Sequence, residues 1–136
     1  MRGDDGSVTV ELVIIMPVLL AFLFFMVMAG RLTDARSDVV SAAADAARAA
    51  SLQDSAAAAR AEAEAAASAT VAGERLNCAT GPTVTTTFDP AFQAGATVHV
   101  EVTCTVNTSD LTFIGLPLQV TMQEEAWEPI DAHRSL

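Results

Sequence analysis

The chain has 136 residues, contains no Lys, and carries seven Arg against 17 Asp and Glu, for a net charge of -10 at pH 7. This length allows one small domain beside an anchor, and the acidic charge argues against a nucleic-acid partner, which usually binds a basic surface. No phosphate loop or nucleophile motif occurs, and neither His99 nor His133 has a Cys or carboxylate at metal-ligand spacing. The sequence therefore predicts no enzyme, cofactor, metal site or small-molecule substrate.

The first predicted element is a transmembrane helix over 7–30. The stretch Leu12–Gly30 holds 19 uncharged residues, rich in Leu, Val, Phe and Met. Such a helix is about 28 Å long, close to the roughly 30 Å of a bilayer core. Pro17 lies inside it and removes one backbone hydrogen bond, so we predict a helix kink or local loosening there.

A short leader, 1–6, precedes this helix, and Gly6 stands five residues before Glu11. A carboxylate at the edge of a membrane helix is a functional hypothesis in itself. Three interpretations compete: a secretory signal cleaved after Ala29, an uncleaved anchor whose Glu11 reaches the interface, and a pilin-type leader. The leader sets Arg2 against two Asp and so lacks a basic region, and the apolar run exceeds a typical signal core, which disfavours the first.

The pattern Gly6-x-x-x-x-Glu11-x-x-x-x-x-Pro17, followed by apolar residues and Gly30-Arg31, resembles the TadE-like proteins of tight-adherence (Tad/Flp) pili. The alanine-rich run 42–50, which contains an Ala-Ala-Arg sequence, is similar to a segment common in that family. The resemblance implies cleavage by a prepilin peptidase between Gly6 and Ser7. It also implies that Glu11, then the fifth residue, pairs with the α-amino group of a neighbouring subunit and sets the packing register.

The same resemblance implies a minor pilin or pseudopilin, whose partners are prepilin peptidase, other pilin subunits and the Tad assembly platform. It places the chain in the bacterial cytoplasmic membrane as a single span, with the C-terminal domain outside or in a surface pilus. Charge does not set this orientation, because Arg2 precedes the span while Arg31 and Arg36 follow it. An uncleaved, anchored extracytoplasmic binding module and a secreted protein remain the alternatives. A fibre, a tip and an accessory role also stay open.

An alanine-rich helical stem is predicted over 31–77, with a break at 51–55. Apolar residues recur at helical spacings of three and four: Leu32, Ala35, Val39, Ala43, Ala46 and Ala50. Asp54 or Ser55 is a suitable N-cap for a second helix from Ala56 to about 72, and Gly73 is a suitable stop.

A small β-sheet head is predicted over 78–128, followed by a flexible tail, 129–136. Residues 97–106 alternate between polar side chains and an apolar set that includes Cys104, as in a half-buried strand. Further strands are expected at 83–88 and from Leu118 to Ala126. The fold class is therefore α+β: a transmembrane helix continuing into a helical stem, then an antiparallel sheet packed on helix, as in pilins.

Cys78 and Cys104 are the only cysteines. An even pair in an extracytoplasmic segment favours a disulfide, and Cys104 shares the apolar face of its strand, while two free buried thiols are the alternative. Trp127 is expected to pack at the sheet edge or to anchor a contact, with packing favoured. The apolar loop 111–118 is either buried or a contact patch, and Glu124-Glu125 is taken as a solvated pair.

Overall fold

The computed structural model describes residues 5–74, 76–107 and 119–133, with side chains from residue 10 onward. It contains two helices, α1 (Asp5–Ser51) and α2 (Ala56–Gly73), and three strands, β1 (Thr83–Asp89), β2 (Thr97–Asn107) and β3 (Gln119–Pro129). The chain divides into two units, Met1–Asp34 and Ala35–Leu136. The predicted α+β fold with an apolar N-terminal helix is confirmed.

In the first unit, α1 is helical from Asp5 onward and continues through Pro17. Pro17 has no N–H, so the backbone carbonyl of Val13 lacks its usual helical donor. Every residue from 10 to 34 is exposed, including the large apolar side chains. A helix of this composition cannot remain in water, because its apolar surface has no protein partner within the unit.

In the second unit, the rest of α1 buries a wide alanine stripe. The fully buried residues of this stripe repeat at helical spacing and are Val39, Ala42, Ala43, Ala46, Ala47 and Ala50. The stripe is broader than the sequence predicted, because it takes in Ala42 and Ala47. It is also shorter at its start, since Leu32 is 45% exposed.

The two helices are separated by a short turn, and α2 begins as the capping pattern predicts. The Ser55 hydroxyl accepts a hydrogen bond from the Ala58 N–H at 3.3 Å, which satisfies one free donor of the first turn. One face of α2 is buried at every fourth residue: Ala59, Ala63, Ala67 and Val71. Thr70 donates a 2.8 Å hydrogen bond to the Asp45 carboxylate and so ties α2 to α1.

The three strands form an antiparallel sheet in the order β1-β2-β3. The predicted alternation of β2 is confirmed, with Val98, Val100, Val102 and Cys104 fully buried. These side chains join the alanine stripes of α1 and α2 in one hydrophobic core. Apart from Val39 and Val71, the buried residues of the two helices are Ala, so most of the larger buried side chains come from the sheet.

Cys78 and Cys104 lie at disulfide distance, with their Cα atoms 5.4 Å apart, and the structure joins their sulfur atoms. Cys78 forms an isolated bridge with Val106, and the Ala79 N–H donates to the Thr105 carbonyl at 2.8 Å. The segment after α2 therefore extends the β1 side of β2.

The prediction of a flexible tail from Pro129 is wrong at its start. Pro129 is the last residue of β3, and Ile130 is only 1% exposed. The Ile130 N–H donates to the Ala96 carbonyl at 2.8 Å, and its own carbonyl accepts from the Gly95 N–H at 3.2 Å. A single apolar side chain and two backbone bonds thus fix this segment.

The interpretation of Glu124-Glu125 as a solvated pair is wrong for Glu124. Side chains alternate along β3, so Glu124 points to the core side, where its side chain is 18% exposed, while Glu125 lies on the outer face. Trp127 is also on the outer face and is 60% exposed, so it is not part of the core. The apolar loop 111–118 lies outside the described residues.

Candidate functional site

The candidate processing and assembly site lies in the first turns of α1. The described part of α1 starts at Asp5, so the peptide bond between Gly6 and Ser7 lies in its first described turn. The end turns of a helix have fewer backbone hydrogen bonds than its interior and are therefore easier to unwind. Residue 7 precedes Glu11 by four positions, which is about 6 Å along the helix axis.

Glu11 is exposed and opens the apolar part of α1. No Asp, Glu, Lys or Arg follows it until Arg31, so one carboxylate and one guanidinium bracket the uncharged stretch. A carboxylate held against a membrane has a high desolvation cost unless a cation pairs with it. Within the described first unit, no hydrogen bond or ion pair to Glu11 is present.

One helix among the described residues, Val10–Ser51, is long and apolar enough to cross a membrane, by length and composition. None of its most apolar window is buried within the protein. A core helix of a water-soluble protein would bury that window, so its exposure argues against a core helix, whereas a signal sequence would be exposed as well. The structure therefore fits a membrane-anchored protein. Pro17 lies within this helix, in the part that the bilayer would cover.

The other predicted residues lie in the second unit. His99 and His133 do not meet: the His99 ring lies between Thr87 and Glu125, whereas His133 contacts Asp131. Among the described residues, no group of three or more His, Cys, Asp or Glu is placed to hold a metal ion.

Sequence reasoning missed one feature of the sheet, the stacking of Trp127 on His99. Their ring centroids are 4.9 Å apart and the rings are inclined by 23°. The alternation of β3 placed Trp127 opposite in phase to the core residues. Its cross-strand neighbour depends on the register between β2 and β3, which pairs His99 with Trp127. This register cannot be predicted from the pattern of either strand alone.

A family model described as TadE-like protein matches residues 6–48. The match begins at Gly6 and includes Glu11 and Pro17, and it ends in the alanine-rich part of α1. The resemblance predicted from these residues is confirmed over that range, and it associates the chain with Tad pili. No curated protein and no solved structure matches the chain significantly.

Proposed function

We propose that this chain is a TadE-like minor pilin or pseudopilin, a membrane-anchored structural subunit that takes part in assembling a Tad-type pilus. The observation that supports this proposal best is the family match beginning at Gly6, with Glu11 five residues later on a helix whose apolar surface is unburied. A simple anchor needs the apolar helix but has no need for this spacing. The role is structural, and the chain is the substrate of an enzyme.

Prepilin peptidase is proposed to cut the bond between Gly6 and Ser7. The bond lies in the first turn of α1, so the peptidase must bind this turn in an unwound form. Unwinding it costs little, because the turn has few helical hydrogen bonds to lose. Gly6 fits such a site because glycine adopts extended and left-handed backbone conformations without a steric penalty.

After cleavage, Ser7 carries a new α-amino group and Glu11 becomes the fifth residue. Each charge is costly in lipid alone, and a pair between neighbouring subunits lowers that cost. Helices whose apolar surfaces are alike along their length can slide past each other, whereas one ion pair at a defined height fixes their register. Glu11 is therefore the proposed register residue. Its carboxylate is costly to desolvate alone, so the subunits are most stable when it lies beside the Ser7 α-amino group of a neighbour.

The second unit is proposed to lie outside the cytoplasmic membrane, with the leader in the cytoplasm. A disulfide between Cys78 and Cys104 forms and persists in an oxidising compartment, which supports this orientation. The same orientation places the Gly6–Ser7 bond at the cytoplasmic face.

The decisive experiment is the intact mass and N-terminal sequence of the protein purified from membranes of a host that carries prepilin peptidase. A chain that begins at Ser7, with or without N-methylation, supports the proposal. An intact Met1 instead supports the uncleaved, anchored binding module, and a chain that begins at Gly30 supports secretion. Either result contradicts the proposal.

A matched pair of glycine variants sharpens this experiment. Gly6→Leu should block cleavage, because it places a bulky side chain next to the scissile bond. Gly30→Ala is the control: a Cβ at Gly30 meets nothing within 4 Å, and the residue lies in the same helix. Equal processing of wild type and Gly6→Leu would contradict cleavage at this bond.

A further inference from the structure

The outer face of the sheet carries a compact group of side chains that the proposed function does not use. Cross-strand register pairs His99 with Trp127 and Glu101 with Glu125. All four residues alternate with core positions and therefore lie on the face turned away from the core. We call these four residues the Trp127 cluster.

Trp127 is 60% exposed, yet its ring is held in place. His99 stacks on it at 4.9 Å and shares a 3.2 Å hydrogen bond with the Thr87 hydroxyl through Nδ1. His99 Nε2 lies 3.3 Å from a Glu125 carboxylate oxygen, although the two are not aligned as a hydrogen bond. An exposed aromatic ring that is already ordered loses little entropy on binding, which is typical of interface anchors.

The charge of the Trp127 cluster is unbalanced. Glu101 and Glu125 stand directly opposite each other on β2 and β3, and like charges in that position destabilise a sheet. The strands contain no Lys or Arg that would neutralise them. An open depression along β3 is lined by Gln123, Glu125 and Trp127 of the outer face and by Glu124 from the core side. The outer face thus presents two carboxylates beside an indole ring, next to this depression.

We propose that the Trp127 cluster is a docking site for a basic, extended segment of another protein, with an Arg or Lys side chain over Trp127 and between the two carboxylates. Trp is the aromatic side chain that attracts a cation most strongly, and a guanidinium group can bridge two carboxylates. A second copy of this chain fits less well, since each copy carries a net charge of -10. This proposal does not depend on the proposed function.

The test uses the full-length chain in a non-ionic detergent and a fluorescein-labelled peptide of eight residues that alternates Arg and Thr. Binding is followed by fluorescence anisotropy. Loss of the cation–π contact in Trp127→Ala should weaken binding about fivefold. The double variant Glu101→Gln/Glu125→Gln should weaken it about tenfold or more, because both counter-charges are lost.

The matched control is Glu62→Gln/Glu64→Gln. It removes the same charge from exposed positions of α2, and it should change the affinity less than about twofold, because exposed charges far from a site are screened. If both double variants weaken peptide binding equally, the binding depends only on the net charge of the protein, and the proposal is overturned.

Two further outcomes would also overturn it. One is unchanged peptide binding by Trp127→Ala and by Glu101→Gln/Glu125→Gln when both variants keep the wild-type circular dichroism spectrum. The other is self-association of the wild type in sedimentation experiments that is lost in Trp127→Ala. That result would mean that the Trp127 cluster binds a second copy of this chain.

Discussion

Arg36 Nε lies 2.6 Å from Glu124 Oε1 and joins α1 to β3 across 88 residues of sequence. The Glu124 side chain is only 18% exposed, on the core side of an edge strand, while Arg36 is 70% exposed. The ion pair therefore stabilises the Glu124 carboxylate more than the Arg36 guanidinium, because a partly buried charge without a partner is costly.

We expect Arg36→Ala to lower the free energy of unfolding by about 1 kcal/mol, and the coupling to Glu124 to be about 0.5–1 kcal/mol, since the exposed guanidinium is screened. A double-mutant cycle of Arg36→Ala and Glu124→Ala, measured by guanidinium chloride unfolding, gives the coupling. Its value should fall in 1 M NaCl. A coupling near zero at low salt would show that the pair contributes nothing to the stability of the fold.

The Arg36–Glu124 pair also shows how far the sequence predicts this fold. The two helices, the strand alternation and the Ser55 cap follow from local periodicity and capping chemistry, and all can be read within one segment. The pairing of α1 with β3 depends on packing across the whole domain, so no local pattern indicates it. The same is true of His99 and Trp127, whose contact is set by strand register.

The arrangement of the candidate site residues, by contrast, could be predicted from local sequence. Gly6, Glu11 and Pro17 lie within one continuous helix, so their relationship is fixed by spacing alone. Ile130 was missed because it is a single apolar residue between Pro129 and Asp131, which gives no periodic signal. Its burial follows from the connection at 95–96, which lies next to it only in the folded chain.

Loss of the Cys78–Cys104 link should destabilise the second unit. The cysteines are 26 residues apart, and on the chain-entropy model a loop of that size contributes about 3–4 kcal/mol. The variant Cys78→Ser/Cys104→Ser should therefore unfold at lower denaturant concentration than the oxidised wild type. Wild type treated with dithiothreitol should match it. If the reduced and oxidised wild type unfold at the same denaturant concentration, the link does not stabilise the fold.

Ala63 tests how closely α2 packs. It is fully buried, whereas Ala61 on the same helix is exposed. A Leu at position 63 must push the helix away from the core, which should cost about 1–3 kcal/mol. Ala61→Leu is the matched control, because it adds the same side chain to the same helix on its exposed side. Thermal unfolding followed by circular dichroism compares them. Equal stability of the two variants would contradict the close packing of this alanine face.

Ile130 should be essential to the end of the sheet. Ile130→Ala removes a side chain that is 1% exposed and should cost about 2–4 kcal/mol of unfolding free energy. His133→Ala, three residues on, is the control, since that side chain is 96% exposed. Hydrogen exchange of the Ile130 amide should be slow in wild type and faster in Ile130→Ala. Fast exchange in wild type would mean that the chain is already mobile at this point.

Glu11 should matter for assembly and not for folding or membrane insertion. Glu11→Ala removes one member of the proposed pair with the Ser7 α-amino group, and breaking a buried pair of this kind costs about 3–5 kcal/mol, enough to prevent stable subunit contacts. We expect the variant to remain in the membrane fraction and to be cleaved at Ser7. Its amount in sheared surface material should fall at least about tenfold.

The control is Glu62→Gln, which changes a carboxylate on an exposed face of α2. It should be processed and assembled like wild type. Glu11→Gln separates charge from size, because it keeps the shape of the side chain and loses the ion pair, so it should resemble Glu11→Ala. Normal assembly of Glu11→Gln would mean that register is set by the shape of the helix surface, and Glu11 would then be no more than the polar boundary of an anchor.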